Sequence, residues 1–88
     1  MGRVLQIQQD LLHFISSQIA RSEVIGAETD LVTSGILDSM LIVDLIAHIE
    51  STYPVRIDST DITPAAFQNV ARLATMISER LSHHTQAA

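Results

Sequence analysis

Apolar residues recur at helical spacing in three stretches of this chain, with polar segments between them. Val4, Ile7, Leu11, Leu12, Ile15 and Ile19 fall three or four apart, separated by Gln8, Gln9, Asp10, Ser16 and Ser17. That spacing predicts one amphipathic helix ending near Arg21. Residues 22–38 carry Gly26, Gly35 and several Thr, Asp and Ser, and predict a long loop. Leu31, Val32 and Ile36 are the residues expected to pin it to the core. A second helix is predicted from Ser39 to Tyr53-Pro54, because the residue before a proline disfavours helical backbone. Its stretch Leu41-Ile42-Val43-Asp44-Leu45-Ile46-Ala47-His48-Ile49-Glu50 holds two acids and no Gly or Pro. Val55 to Asp58 could form a strand, but no partner strand exists in the sequence, so it reads as extended loop. Thr63-Pro64 supplies a cap and a first-position proline and predicts a short helix over Ala65 to Gln68. Asn69 then caps a final helix with Val70, Leu73, Ile77 and Leu81 facing inward. His83 to Ala88 reads as a frayed tail. The expected architecture is all-α: a small four-helix bundle of three long helices and one short one, with a long loop between the first two.

Composition narrows what such a bundle can do. The 88 residues suit one domain, 1–88, with an ordered core over about 3–82 and a flexible tail at 83–88. At 47% apolar and 17% charged the chain can bury a core without staples, and with three aromatic residues that core is aliphatic. There is no cysteine, hence no disulfide framework and no thiol nucleophile. Five arginines, no lysine and ten acids give a net charge of -5. That argues against nucleic acid, where neutralising phosphates supplies much of the affinity, and suits partners with basic surfaces. No apolar stretch approaches the roughly 18 uncharged residues of a membrane span. The N-terminus lacks the long apolar core and cleavage site of a signal peptide. A cytoplasmic monomer is the expectation.

The chemistry concentrates at Gly35-Ile36-Leu37-Asp38-Ser39-Met40, where a serine stands as loop turns into helix. A hydroxyl there is exposed, and an anion attached to it would face free backbone N–H groups and the positive end of the helix dipole. Ser39 could be a helix cap, a nucleophile or an attachment point, and Asp38 could cap equally well. A serine nucleophile needs a base within hydrogen-bond reach. At about 100° per residue, His48 points roughly opposite to Ser39. His13 reads as a surface or boundary residue, and His83 and His84 fall in the tail. The sharp-turn pattern G-x-S-x-G fails, since Leu37 and Leu41 stand in the glycine places. Metal ligation by His83 and His84 has no accompanying ligand pattern. On the same angular scale Leu41, Ile42, Leu45, Ile49 and Tyr53 form a core stripe. Val43, Ile46, Ala47 and Glu50 lie toward Ser39, forming a second, partly apolar stripe that suits partner docking.

Asp38-Ser39-Met40 resembles the Asp-Ser-Leu signature of acyl carrier proteins and their aminoacyl and peptidyl relatives. The likeness extends to Thr29-Asp30-Leu31, Gly35, Val43, Leu45, Ile49-Glu50, Tyr53, Asp61-Ile62, Phe67, Asn69-Val70, Leu73 and Ile77, covering about residues 4–82. The resemblance implies a carrier rather than an enzyme. Ser39 would receive a 4'-phosphopantetheine arm from coenzyme A, and the arm's thiol would hold a cargo as a thioester. Asp38 and Met40 would flank the attachment site, and Asp38 would contact the transferase and its metal ion. Val43, Ile46, Ala47 and Glu50 would form the partner face. Implied partners are a phosphopantetheinyl transferase, an acyl- or aminoacyl-activating ligase, and a downstream transferase or synthase. Three features depart from fatty-acid carriers. Ile36-Leu37 precede the motif, Leu41 and Ile42 replace the polar positions after it, and the second helix holds only Asp44 and Glu50 as acids. The Leu-Asp-Ser-Met run is similar to D-alanyl and other stand-alone aminoacyl carriers, so a stand-alone carrier of an aminoacyl or specialised acyl group is the expectation. A housekeeping fatty-acid carrier, a helical adaptor with an unmodified serine and a small serine hydrolase are the alternatives.

Overall fold

Three helices carry the chain in the computed structural model, which describes residues 2–19 and 24–87, with side chains as far as Ser82. They are α1 (Gly2–Gln18), α2 (Ser39–Thr52) and α3 (Val70–Ala87), and a 3-10 turn spans Ser59–Asp61. No strand occurs among the described residues. Helix α1 buries Ile7, Leu11 and Ile15 and packs mainly on α3, with a smaller contact to α2. It ends at Gln18; the expected end near Arg21 lies outside the described residues. Helix α2 buries Leu41, Leu45 and Ile49, one residue per turn at four-residue spacing. Tyr53 leaves the helix in extended backbone (φ -121°, ψ 146°) ahead of Pro54, as the proline demands. Val70, Leu73, Ala74 and Ile77 of α3 are fully buried. The Cα radius of gyration is 12.6 Å, near the roughly 12 Å of a compact chain this long.

The expected short helix over Ala65–Gln68 is absent. Thr63 does cap one turn, its Oγ1 accepting from the Ala66 N–H at 3.1 Å and its carbonyl from the Phe67 N–H at 3.1 Å. The turn stops there because the Gln68 carbonyl accepts from the Leu31 N–H at 2.7 Å and is taken by the long loop. Asn69 restarts the chain as α3, its side chain accepting from the Arg72 N–H at 2.8 Å, as expected. The backbone then stays helical to Ala87, past the point where the sequence suggested a tail. The side chains of 83–88 lie outside the described residues.

From Val24 onward the long loop is tied to the core. Ile25, Leu31, Ile36 and Leu37 are buried in the common core. The Ala71 N–H donates to the Ala27 carbonyl at 2.9 Å, and the Leu37 N–H to Leu31 O at 2.9 Å. Between those ends the chain makes a turn in which Asp30 Oδ1 accepts from the Val32 and Thr33 N–H groups at 3.0 and 2.9 Å. That curl turns Val32 outward, 39% exposed, so it does not serve as the core anchor the sequence suggested. Gly35 closes the turn at φ +78°, left-handed backbone that other residues adopt at a cost. The result is a short, hydrogen-bonded lead into α2.

Candidate functional site

That lead delivers Asp38 and Ser39 to the start of α2 in distinct roles. Asp38 is the N-cap: its Oδ1 accepts from the Leu41 N–H at 2.8 Å and its carbonyl from the Ile42 N–H at 2.9 Å. Ser39 is the first residue of the helix, so the cap left open by the sequence falls to its neighbour. Ser39 is exposed, and its hydroxyl has no hydrogen bond among the described residues. The backbone N–H groups of Ser39 and Met40 precede the first intrahelical acceptors and are free to meet an anion on the serine. Asp30 anchors the preceding turn, and the Thr33 backbone bond, the largest of several, holds its carboxyl below the usual carboxylate range.

Beside the serine the surface carries exposed apolar side chains among the acids Asp38 and Asp44. Met40 is 75% exposed and Val43 65% exposed, large values for such side chains. Ala47 is exposed as well, while Ile46 is half-buried against the core. Glu50 is exposed at the far end of the stripe, but its Oε2 accepts from the Ile57 N–H at 2.8 Å and ties the following loop to α2. The structure thus separates the candidate partner face into an outward part, Met40, Val43 and Ala47, and a part engaged within the domain, Ile46 and Glu50.

Candidate bases lie elsewhere. His48 faces α1, its Nε2 2.9 Å from Asp10 Oδ2 and its ring stacked on Phe14 at 4.2 Å between centroids. The Tyr53 hydroxyl donates to the same Asp10 Oδ2 at 2.9 Å. Burial first, and then the carboxylate, raises the Tyr53 phenol above its ordinary value. This clasp of Asp10, His48 and Tyr53 joins α1 to the C-terminal half of α2. Sequence reasoning did not find it. The spacing within either helix gave no signal for it, since both carry other polar residues. His13 is exposed, as expected.

An exposed serine with a free hydroxyl, an adjacent residue performing the capping and unclaimed N–H groups beside it fit a covalent phosphodiester. Among the described residues no group of His, Asp and Glu is arranged to hold a metal ion. No helix among them is long and apolar enough to cross a membrane.

Comparison with known proteins supplies a family. Residues 3–77 match the family described as phosphopantetheine attachment site. No curated protein matches the chain. Among solved structures the chain is similar to one in a crystal structure of an FAD-dependent dehydrogenase, at 39% identity and a TM-score of 0.70. The match covers 76% of this chain and 97% of that one.

Proposed function

This chain belongs to the phosphopantetheine attachment site family, and from that premise we propose that Ser39 carries the arm and that the domain delivers an acyl or aminoacyl cargo to partner enzymes. The family attaches 4'-phosphopantetheine covalently. The observation that supports Ser39 is its free, exposed hydroxyl at the first position of α2. In loading, a bond forms between Ser39 Oγ and phosphorus while the pyrophosphate link of coenzyme A breaks. Adenosine 3',5'-bisphosphate leaves, and a base on the transferase takes the hydroxyl proton. The arm, when bound, supplies the terminal thiol that a chain without cysteine lacks. The chain's own part is to hold the hydroxyl outward, to place two N–H groups beside the phosphate, and to present Met40, Val43 and Ala47 to the enzymes that load and unload it.

The cargo proposed is an aminoacyl or specialised acyl group. The acid-poor α2, with only Asp44 and Glu50 between Ser39 and Thr52, supports this over a housekeeping fatty-acid role. The likeness to the chain in the dehydrogenase structure adds a partner class. Since 76% of 88 residues fills 97% of that chain, it is about 69 residues long. That is too short for the two mononucleotide-binding halves of a dinucleotide fold. We therefore read the likeness as one between carriers and infer that an FAD-dependent dehydrogenase is among the partners of this chain. Such an enzyme would take two hydrogens from the cargo, a proton to a base on the enzyme and a hydride to its flavin, leaving a double bond in the cargo.

Intact mass spectrometry after coexpression with a broad-specificity phosphopantetheinyl transferase tests the attachment. One phosphopantetheinyl increment, absent in Ser39→Ala, is the expected result. An unmodified protein beside a loaded control carrier would sink the proposal and leave a helical adaptor. Incubating the loaded protein with a flavin dehydrogenase tests the partner class. Loss of two hydrogens from the cargo is expected, and an unchanged cargo mass argues against it.

A further inference from the structure

A cleft of about 560 Å³ opens at the C-terminal end of α2, lined by Glu50, Tyr53, Pro54, Val55, Arg56 and Arg80. That volume lies within the roughly 300–1,000 Å³ of small-molecule sites. Its floor is apolar: Val55 is buried, the Tyr53 ring is half-buried, and Pro54 lies between them. The Tyr53 ring is held in place from behind by its hydroxyl bond to Asp10.

The charged groups around the cleft are not equivalent. Arg80 donates through Nη1 to the Arg56 carbonyl at 3.1 Å and through Nη2 to Asp61. Glu50 is held by the Ile57 N–H. The Arg56 guanidinium is exposed and has no hydrogen bond or ion pair among the described residues. One uncommitted, planar cation therefore borders an apolar floor.

The position of the cleft matches the reach of an arm on Ser39. Fourteen residues separate Ser39 from Tyr53, a rise of about 21 Å along the helix. The arm has about fourteen bonds from Oγ to sulfur, comparable to about five extended residues, and reaches about 17 Å. The thioester and cargo supply the remaining few ångströms. Val43, Ile46 and Glu50 lie within about 40° of Ser39 around the helix axis, so an arm laid along the exposed Val43 leads to the cleft. A second cavity, lined by Gln18, Ile19, Gly35, Ile36, Asp38, Met40, Leu41 and Asp44, begins beside Ser39 itself and is too near to receive the end of an extended arm.

We propose that this distal cleft is a resting site for the cargo, that it fits a compact apolar acyl group, aryl above all, and that Arg56 is the specificity-determining contact. A guanidinium stacks on an aromatic face and donates to an acceptor on the ring or the thioester carbonyl. The inference rests on attachment at Ser39.

The test uses a pantetheine arm bearing a benzoyl group through an amide, so that it does not hydrolyse. It is loaded enzymatically, and loading is verified by intact mass. Backbone amide resonances are then compared with those of protein carrying the bare arm. Shift changes at Tyr53, Val55 and Arg56 are expected. Arg56→Ala, an exposed substitution, should reduce the bound population about two- to fivefold. Changes confined to residues near Ser39 in a verified loaded protein, or an Arg56→Ala variant indistinguishable from the parent, would overturn the proposal. Titration of unloaded protein with free benzoyl-pantetheine amide separates the two readings. Shifts in the cleft without covalent loading support the cleft even if attachment at Ser39 fails, and their absence counts against it.

Discussion

Asp38 and Ser39 are adjacent yet carry different loads, and the difference is measurable. Asp38 satisfies the Leu41 N–H, so Asp38→Ala should cost about 1 kcal/mol in denaturant unfolding. Ser39 has no such bond, so Ser39→Ala should unfold within about 0.5 kcal/mol of the parent while losing its modification. A serine that also capped the helix would lose its bond to the backbone on loading; giving the cap to Asp38 leaves the hydroxyl free for chemistry. Tyr53 offers a second test at this scale. Burial, and then its bond to Asp10, favour the neutral phenol in the folded state and raise its pKa. Its contribution is fully present below the ordinary tyrosine value of 10.0 and is lost as pH rises above it. Urea midpoints measured from neutral pH upward should fall in that window for the parent. Tyr53→Phe should be about 1 kcal/mol less stable at neutral pH and should lack that part of the alkaline loss.

Helix α2 shows how one element serves two surfaces. Leu41, Leu45 and Ile49 are its buried face, and Met40, Val43 and Ala47 are left to solvent. The angular reading of the sequence located the buried residues and set Val43 and Ala47 apart from them, because a helix of fixed pitch places its side chains by number alone, but it did not include Met40. It did not locate the division within the second stripe. Ile46 is half-buried against the core and Glu50 accepts from the Ile57 N–H of the following loop, and neither partner is encoded in the spacing of the helix. Val43→Asp should therefore fold with a circular dichroism spectrum and melting temperature close to the parent's, while the initial rate of modification by the transferase falls. A large drop in melting temperature would instead mark Val43 as core.

At the scale of the whole molecule, an aliphatic core joins three helices and the loop that leads to the site. Leu45→Ala removes a fully buried side chain and should cost about 2–5 kcal/mol by denaturant titration. Three things followed from the sequence by itself. The three long helices came from periodicity, the break at Tyr53-Pro54 from proline sterics, and the exposed serine at a helix start from the change of composition at residue 38. These are local properties, set within a few residues of where they act. Tertiary structure decided the rest. It ended the turn after Thr63, because the Leu31 N–H takes the Gln68 carbonyl. It buried Leu37 and Ile25 in the common core, and it exposed Val32 where Asp30 curls the loop. It joined Asp10, His48 and Tyr53, which are 38 and 43 residues apart. Each of these depends on which distant group claims a donor, an acceptor or a place in the core, and spacing along one segment carries no record of that competition.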